Sequence, residues 1–231
     1  MGSLGQQKAI GITKRLLRWF DRNKRQFPWR ETFERPDPYK ILFTEIMLQR
    51  TTARQVAPVY EEFVKKYPTL EMLSNAPDMD VFGLFSQLGL RWRAKNIAKL
   101  IAALRDRHHG LVPTNPSDLR DLPGVGEYVA CAVECYAFGR RVVPVDTNVV
   151  RVIARLFGLH LDPDLARRSK LIKDLAAELA PTRRIRDFNL ALLDFAATVC
   201  KPQPMCDVCP LALECAYFQA GSLQRLMAVA S

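Results

Sequence analysis

Acidic residues are scarce in this chain relative to basic ones. Against 34 Lys and Arg stand 24 Asp and Glu, a formal net charge of +10 over 231 residues. That imbalance suits a polyanion, either nucleic acid or an anionic membrane surface, although a merely basic soluble protein also carries such charge. Long apolar runs are missing too. Every run is short and broken by charge, which excludes a helix that spans a bilayer. Met1 to Lys8 lacks the apolar core of a secretory signal, so the expected location is the cytoplasm or its nucleoid. In that compartment six cysteines are not expected to pair as disulfides. There is no internal repeat and no low-complexity linker. Strand signal is nearly absent: only Arg141 to Val145 is strand-like, and Pro144 interrupts it. The chain therefore reads as all-α.

What is present is a succession of helix patterns. Ile10 to Phe20 is amphipathic, with Leu16, Leu17 and Phe20 apolar and Lys14, Arg15 and Arg18 outside. Phe27-Pro28-Trp29 ends it, and Glu31 to Pro38 reads as a charged, proline-rich loop. Tyr39 to Gln49 is helical, and Thr51 or Thr52 caps a further helix to Tyr67. Two shorter segments follow, punctuated by Pro68 and Pro77, and a longer helix ends at His108-His109-Gly110. Helices are also expected over Val149 to Phe157, Leu165 to Leu179 and Asp187 to Val199.

One stretch organises the rest. Leu122-Pro123-Gly124-Val125-Gly126-Glu127-Tyr128 follows a helix start at Pro116 to Asp121, with Ser117 or Asp118 as its expected cap. Val129, Ala132, Val133, Tyr136 and Ala137 then recur at helical spacing. The segment reads helix, tight turn, helix. The amides of Gly124, Val125 and Gly126, at the start of the second helix, form a natural anion site, and a DNA phosphate is one such anion.

Near the C-terminus, Cys200, Cys206, Cys209 and Cys215 are spaced C-x5-C-x2-C-x5-C. Four thiolates in one short loop hold an iron–sulfur cluster or a zinc ion, and spacing alone leaves both open. Cys131 and Cys135 lie one turn apart on an apolar helix side and read as core.

Taken together, the hairpin, Ala137-Phe138-Gly139, Val145-Asp146-Thr147-Asn148 and Val150-Arg151-Val152 resemble the helix-hairpin-helix DNA glycosylases. The resemblance runs from about Phe27-Pro28-Trp29-Arg30 to Cys215. It is nearest to the mismatch thymine glycosylases, through Thr44-Glu45-Ile46, Arg50-Thr51-Thr52-Ala53 and Asp187-Phe188-Asn189-Leu190. It implies two helical lobes with a DNA-binding cleft between them. One lobe joins residues 1–30 to 142–231 and carries the cysteine loop 200–215. The other, 31–141, is a helical barrel containing the hairpin over 117–138. The resemblance also implies a [4Fe–4S] cluster on the four clustered cysteines. The first gap, Lys201 to Met205, is one residue shorter than the family's usual six, and Pro202 and Pro204 stiffen it.

Asp146 follows an apolar run and precedes a helix, the place of an N-cap. A helix start keeps a carboxylate ionised, and an ionised carboxylate stabilises the oxocarbenium-like sugar formed as a glycosidic bond breaks. The family places its catalytic Asp at this position, with Asn148 orienting it. Glu45 shares a helix face with Ile41 and Leu42, where a carboxylate needs a partner or a purpose. Burial there would raise its pKa and suit it to donation. The resemblance implies that Glu45 faces the extruded base, while Gln49 and Arg50 fill or line the gap left in the duplex. Tyr128 stands where strand-cleaving members carry a lysine. A lysine amine forms a Schiff base with the sugar and a phenol does not, so base release without strand cutting is expected. Leu90, followed by Arg91-Trp92-Arg93, is an apolar tip beside cations and suits a wedge into the base stack. Lys201, beside the cysteine loop, is a further phosphate contact.

The expected function is a monofunctional glycosylase acting on thymine or uracil opposite guanine in double-stranded DNA, as a monomer and without a membrane. Two alternatives stand beside it. An adenine glycosylase shares Tyr128 and Asn148, but it usually has Gln-Gln at Gln49-Arg50 and a further C-terminal domain. That domain does not fit in the sixteen residues after Cys215. A non-catalytic nucleic-acid-binding iron–sulfur protein is the other.

Overall fold

The computed structural model describes residues 3–89, 91–161 and 166–221. All regular structure among them is helical, as the periodicity predicts. Arg141 to Val145 forms no strand; the segment is irregular, and Pro144 has no N–H to give a ladder. The chain divides into two compact units, Met1–Arg25 with Arg141–Ser231, and Gln26–Arg140. No helix among the described residues is long and apolar enough to cross a membrane.

The second unit holds α2 (Arg30–Glu34), α3 (Pro38–Leu48), α4 (Ala53–Lys66), α5 (Leu70–Ser74), α6 (Asp78–Ser86), α7 (Arg91–His108), α8 (Pro116–Arg120) and α9 (Glu127–Tyr136). The single turn α2 replaces the loop expected over Glu31 to Pro38. Its charge run hides one anchor, Phe33, which is buried against Tyr136 with ring centroids 4.7 Å apart. Asp37 caps α3 by accepting from the Tyr39 and Lys40 amides. Thr52 caps α4 in a reciprocal box with Gln55. The expected Ser117 or Asp118 cap of α8 is displaced to Asn115, whose Oδ1 accepts from Ser117 N at 3.0 Å. Pro116 then occupies the first turn, where its missing N–H costs nothing. Phe43, Phe63 and Phe85 are fully buried in one aromatic cluster, with centroids 5.5 to 6.2 Å apart. Each contributes about 1.5–3 kcal/mol by leaving water. His109 and Gly110 take left-handed backbones after α7, and Gly110 N closes the end on Leu104 O.

The first unit holds α1 (Ser3–Asn23), α10 (Thr147–Phe157), α11 (Lys170–Leu179) and α12 (Ile185–Thr198). The helix α1 starts earlier than its apolar stripe, and Gly5, Gln6, Gln7 and Lys8 in its first turns are exposed. It packs against α12 and α11. Thr13 Oγ1 donates to Leu179 O at 2.6 Å. Arg25 ties the end of this segment to fully buried Asp194, through Nε at 2.7 Å and its backbone amide at 3.0 Å. In α10 the stripe Val149, Val152, Ile153 and Leu156 is buried, and Gly158 ends the helix in the left-handed region.

Candidate active site

In the first unit, Asp146 is the N-cap of α10. Its Oδ1 accepts from the amides of Asn148 (2.9 Å) and Val149 (2.8 Å). Its Oδ2 accepts from Asn148 Nδ2 at 2.7 Å. Both oxygens are thus held by donors, and the helix N-terminus favours the anion. Asn148 is itself fixed: its Oδ1 accepts from Arg151 Nη1 at 3.1 Å. Arg151 continues the line, with Nε on Cys200 O at 2.9 Å and Nη2 on Ala196 O at 3.0 Å. A continuous chain of hydrogen bonds therefore runs from the Asp146 carboxylate to the first cysteine of the cluster loop.

Arg155, one turn beyond Arg151, reaches the same loop. Its Nη1 donates to Lys201 O at 2.6 Å and lies 3.6 Å from Cys200 Sγ, within hydrogen-bond reach of the larger sulfur atom. Its Nη2 donates to Pro202 O at 2.7 Å. Arg155 carries no signal in the sequence, and Arg151 enters there only within the motif Val150-Arg151-Val152, without a role. Their spacing of three and seven from Asn148 puts them on one face of α10, but the partners that hold them are mostly backbone carbonyls 45 to 49 residues on.

The four clustered cysteines are free thiols, and all four line a single cavity with Val152 and Leu211. Burial pushes the Cys209 thiol up to about 11 and raises that of Cys206 as well. Among the described residues, no three His, Cys, Asp or Glu side chains form a group that could hold a metal ion. The loop is anchored to α1 by Arg15 Nη1 on Glu214 Oε1 at 2.6 Å. Lys201 is half-buried, and its carbonyl is committed to Arg155.

In the second unit, α8 and α9 form the expected helical hairpin. Gly124 takes a φ of +82°, which favours glycine, and Val125 is buried beneath the turn. Gly126 caps α9 with extended backbone and no side chain over the first-turn amides. Gln49 meets this turn directly, with Nε2 on Gly124 O at 3.0 Å. Arg50 is exposed and has a left-handed φ of 53°. A bulky residue held there is strained by about 1–3 kcal/mol. Glu45 is 4% exposed on α3, as its place on an apolar face predicts. Tyr128 is half-buried in the first turn of α9. Both lie within electrostatic reach of Tyr136, whose phenol is held well above its ordinary range by burial first, then by Tyr128 and Glu45. The Tyr136 hydroxyl meets no hydrogen-bond partner among the described residues. Leu90 lies outside the described residues. Arg91 opens α7, and its side chain is not described.

Residues 43–178 match the HhH-GPD superfamily of base excision DNA repair proteins, and the chain belongs to that family. The thymine/uracil-DNA glycosylase of Methanothermobacter thermautotrophicus is 39% identical over 224 residues, covering 96% of this chain and 100% of that relative. An adenine DNA glycosylase of Mycobacterium tuberculosis is 37% identical over 89% of this chain and 67% of its own length. Among solved structures, a thermostable thymine-DNA glycosylase superposes with a TM-score of 0.84 at 37% identity, covering 93% of this chain and 98% of that one. Endonuclease III trapped in a covalent intermediate with DNA superposes at 0.77 with 27% identity, over 94% and 98%. The family resemblance drawn from the hairpin and the Asp146 segment is borne out.

Proposed function

We propose that the chain is a monofunctional DNA glycosylase that hydrolyses the N-glycosidic bond of thymine or uracil mispaired with guanine. The observation that carries this is the end-to-end match to a thymine/uracil-DNA glycosylase, in a chain whose Asp146 carboxylate is fixed by three hydrogen bonds.

A glycosidic bond inside a stacked duplex is out of reach, so the base must first leave the stack. A G·T or G·U wobble costs less to open than a Watson–Crick pair. Arg50 and Gln49, adjacent on the loop after α3, are the groups proposed to take the vacated space, and the hairpin amides of Gly124, Val125 and Gly126 to hold backbone phosphate. Lys201, Leu90 and Arg91 complete the proposed DNA contacts. Glu45 is the proposed donor to a carbonyl of the extruded pyrimidine. As the bond from C1′ to the base nitrogen lengthens, positive charge develops on the sugar. Asp146 stabilises that charge without reorganising, because its donors already hold it. The bonding electrons leave with the base, water adds to C1′ and loses a proton, and an abasic site remains. Tyr128 offers a phenol where an amine would be needed for a Schiff base. The strand therefore stays intact.

We also propose that Cys200, Cys206, Cys209 and Cys215 hold a [4Fe–4S] cluster. An all-thiol ring around one cavity suits soft iron. Thiolates suit zinc as well; the family likeness decides for the cluster, which attaches each cysteine to a different iron. When bound, the cluster supplies a covalent tie across the loop, and its binding is itself folding free energy.

A second reading, adenine release opposite guanine or oxidised guanine, draws on the 37% identity to the mycobacterial adenine glycosylase. One experiment separates the two. Labelled duplexes carrying G·T, G·U, and A opposite oxidised guanine are incubated with the protein and resolved with and without alkali. Alkali-dependent cleavage of the G·T and G·U strands is expected. Activity on the adenine duplex alone moves the assignment to the second reading, and no base release at all leaves only nucleic-acid binding.

A further inference from the structure

The segment between the first two clustered cysteines is poorly equipped to hold its own shape. Of Lys201 to Met205, Pro202 and Pro204 have no N–H, and among the described residues one backbone–backbone bond leaves the segment, from Met205 N to Val199 O at 3.0 Å. Its carbonyls look elsewhere. Lys201 O and Pro202 O are both taken by the Arg155 guanidinium, at 2.6 and 2.7 Å. The same planar group lies 3.6 Å from Cys200 Sγ and stacks on the Tyr217 ring at 5.1 Å. Tyr217 follows the last cysteine by two residues, and Cys215 Sγ donates to Arg155 O at 3.4 Å. One residue of α10 thus touches both ends of the cysteine loop. At the end of that helix, Gly158 lets the loop come close, since a Cβ there would lie 3.1 Å from Ala216 Cβ.

We propose that Arg155 is a positioning residue for the cluster, fixing the short first gap and donating a charged N–H to the Cys200 sulfur. The inference rests on the cluster reading given above. It assigns two effects to one side chain. The carbonyl bonds shape the loop so that Cys200 and Cys206 can ligate together. The bond to sulfur stabilises the more negative, reduced state of a cluster and so raises its potential. A lysine at this position keeps the charge but loses the planar fork that serves two carbonyls and a sulfur at once.

The test compares anaerobically purified wild type, Arg155→Lys and Arg155→Met. Iron and sulfide content, the rate of absorbance loss near 400 nm under a chelator with mild oxidant, the reduction potential and the melting temperature are measured on each. The expected result is roughly tenfold faster cluster loss in both variants. Their potentials should also be lower, with the larger shift in Arg155→Met. A purely structural role would lower the melting temperature and leave the potential of the remaining cluster where it was, and that outcome overturns the assignment. If Arg155→Met does not fold, Arg155→Lys decides the question alone. Wild type that carries no iron overturns the cluster reading itself. Iron-loaded wild type with variants of unchanged potential and lability overturns only the role of Arg155.

Discussion

Arg151 donates from Nη1 to Asn148 Oδ1 at 3.1 Å, and so fixes the amide whose Nδ2 holds Asp146. An Asn side chain alone can flip its oxygen and nitrogen. With a cation against one end, only the orientation that aims Nδ2 at the carboxylate survives. Removing either side chain should therefore release Asp146. Asn148→Ala and Arg151→Ala are each expected to slow single-turnover base release, by up to about 100-fold if the carboxylate moves by about 1 Å. The double variant should be little slower than the worse single one, because both act through the same carboxylate. Strictly additive losses would break the link.

Asp146→Asn separates the two jobs of this residue. Asparagine caps helices nearly as well as aspartate, so α10 should persist and the melting temperature should fall by less than about 1 kcal/mol would cause. The amide carries no charge to oppose the sugar cation, so the chemical step should be lost while duplex binding survives. Single-turnover kinetics beside a binding titration reads both. A near-normal rate removes Asp146 from the mechanism.

Tyr128→Lys places an amine at the start of α9. The variant should gain strand cleavage without alkali and should be trapped on DNA by borohydride. Wild type should do neither. Cleavage by wild type would contradict the role given to Tyr128.

Tyr136→Phe should stabilise the protein. Its buried hydroxyl has no hydrogen-bond partner among the described residues, and such a group costs about 1–3 kcal/mol, so the loss of one oxygen should raise the melting temperature at neutral pH. The alkaline limb should change too. The folded phenol is held above its ordinary value of 10.0. Above that pH the unfolded chain ionises first, and wild type loses stability that the Phe variant keeps. Thermal melts between pH 7 and about 11 measure both effects. A lower melting temperature in the variant would mean that the hydroxyl has a partner after all.

Much of this was legible in the residues. Burial of Glu45 followed from its place beside Ile41 and Leu42, and the Asp146 cap from an Asp at the head of the Val149, Val152, Ile153, Leu156 stripe. What escaped was of two kinds. The helix α2 is a single turn inside a charged run, too short for any periodicity to register. The Asn115 cap was missed although Pro116 marks the first turn and so points one residue back. Arg151 and Arg155 escaped for a deeper reason. They read backbone carbonyls of Ala196, Cys200, Lys201 and Pro202, and a carbonyl looks the same in every residue type.

The first unit is stitched from both ends of the chain, and that sets an order on its assembly. Thr13 bonds Leu179 and Arg25 bonds Asp194, across separations of 166 and 169 residues. During synthesis α1 is made before the whole of the second unit, and its packing surfaces on α11 and α12 are made after it. Gln26–Arg140, by contrast, is one uninterrupted stretch of chain. A nascent chain should therefore complete its second unit while α1 waits with Ile12, Leu16 and Phe20 uncovered. The apolar face of α1 finds its cover only once α12 has been made, and the cysteine loop follows α12 in the chain.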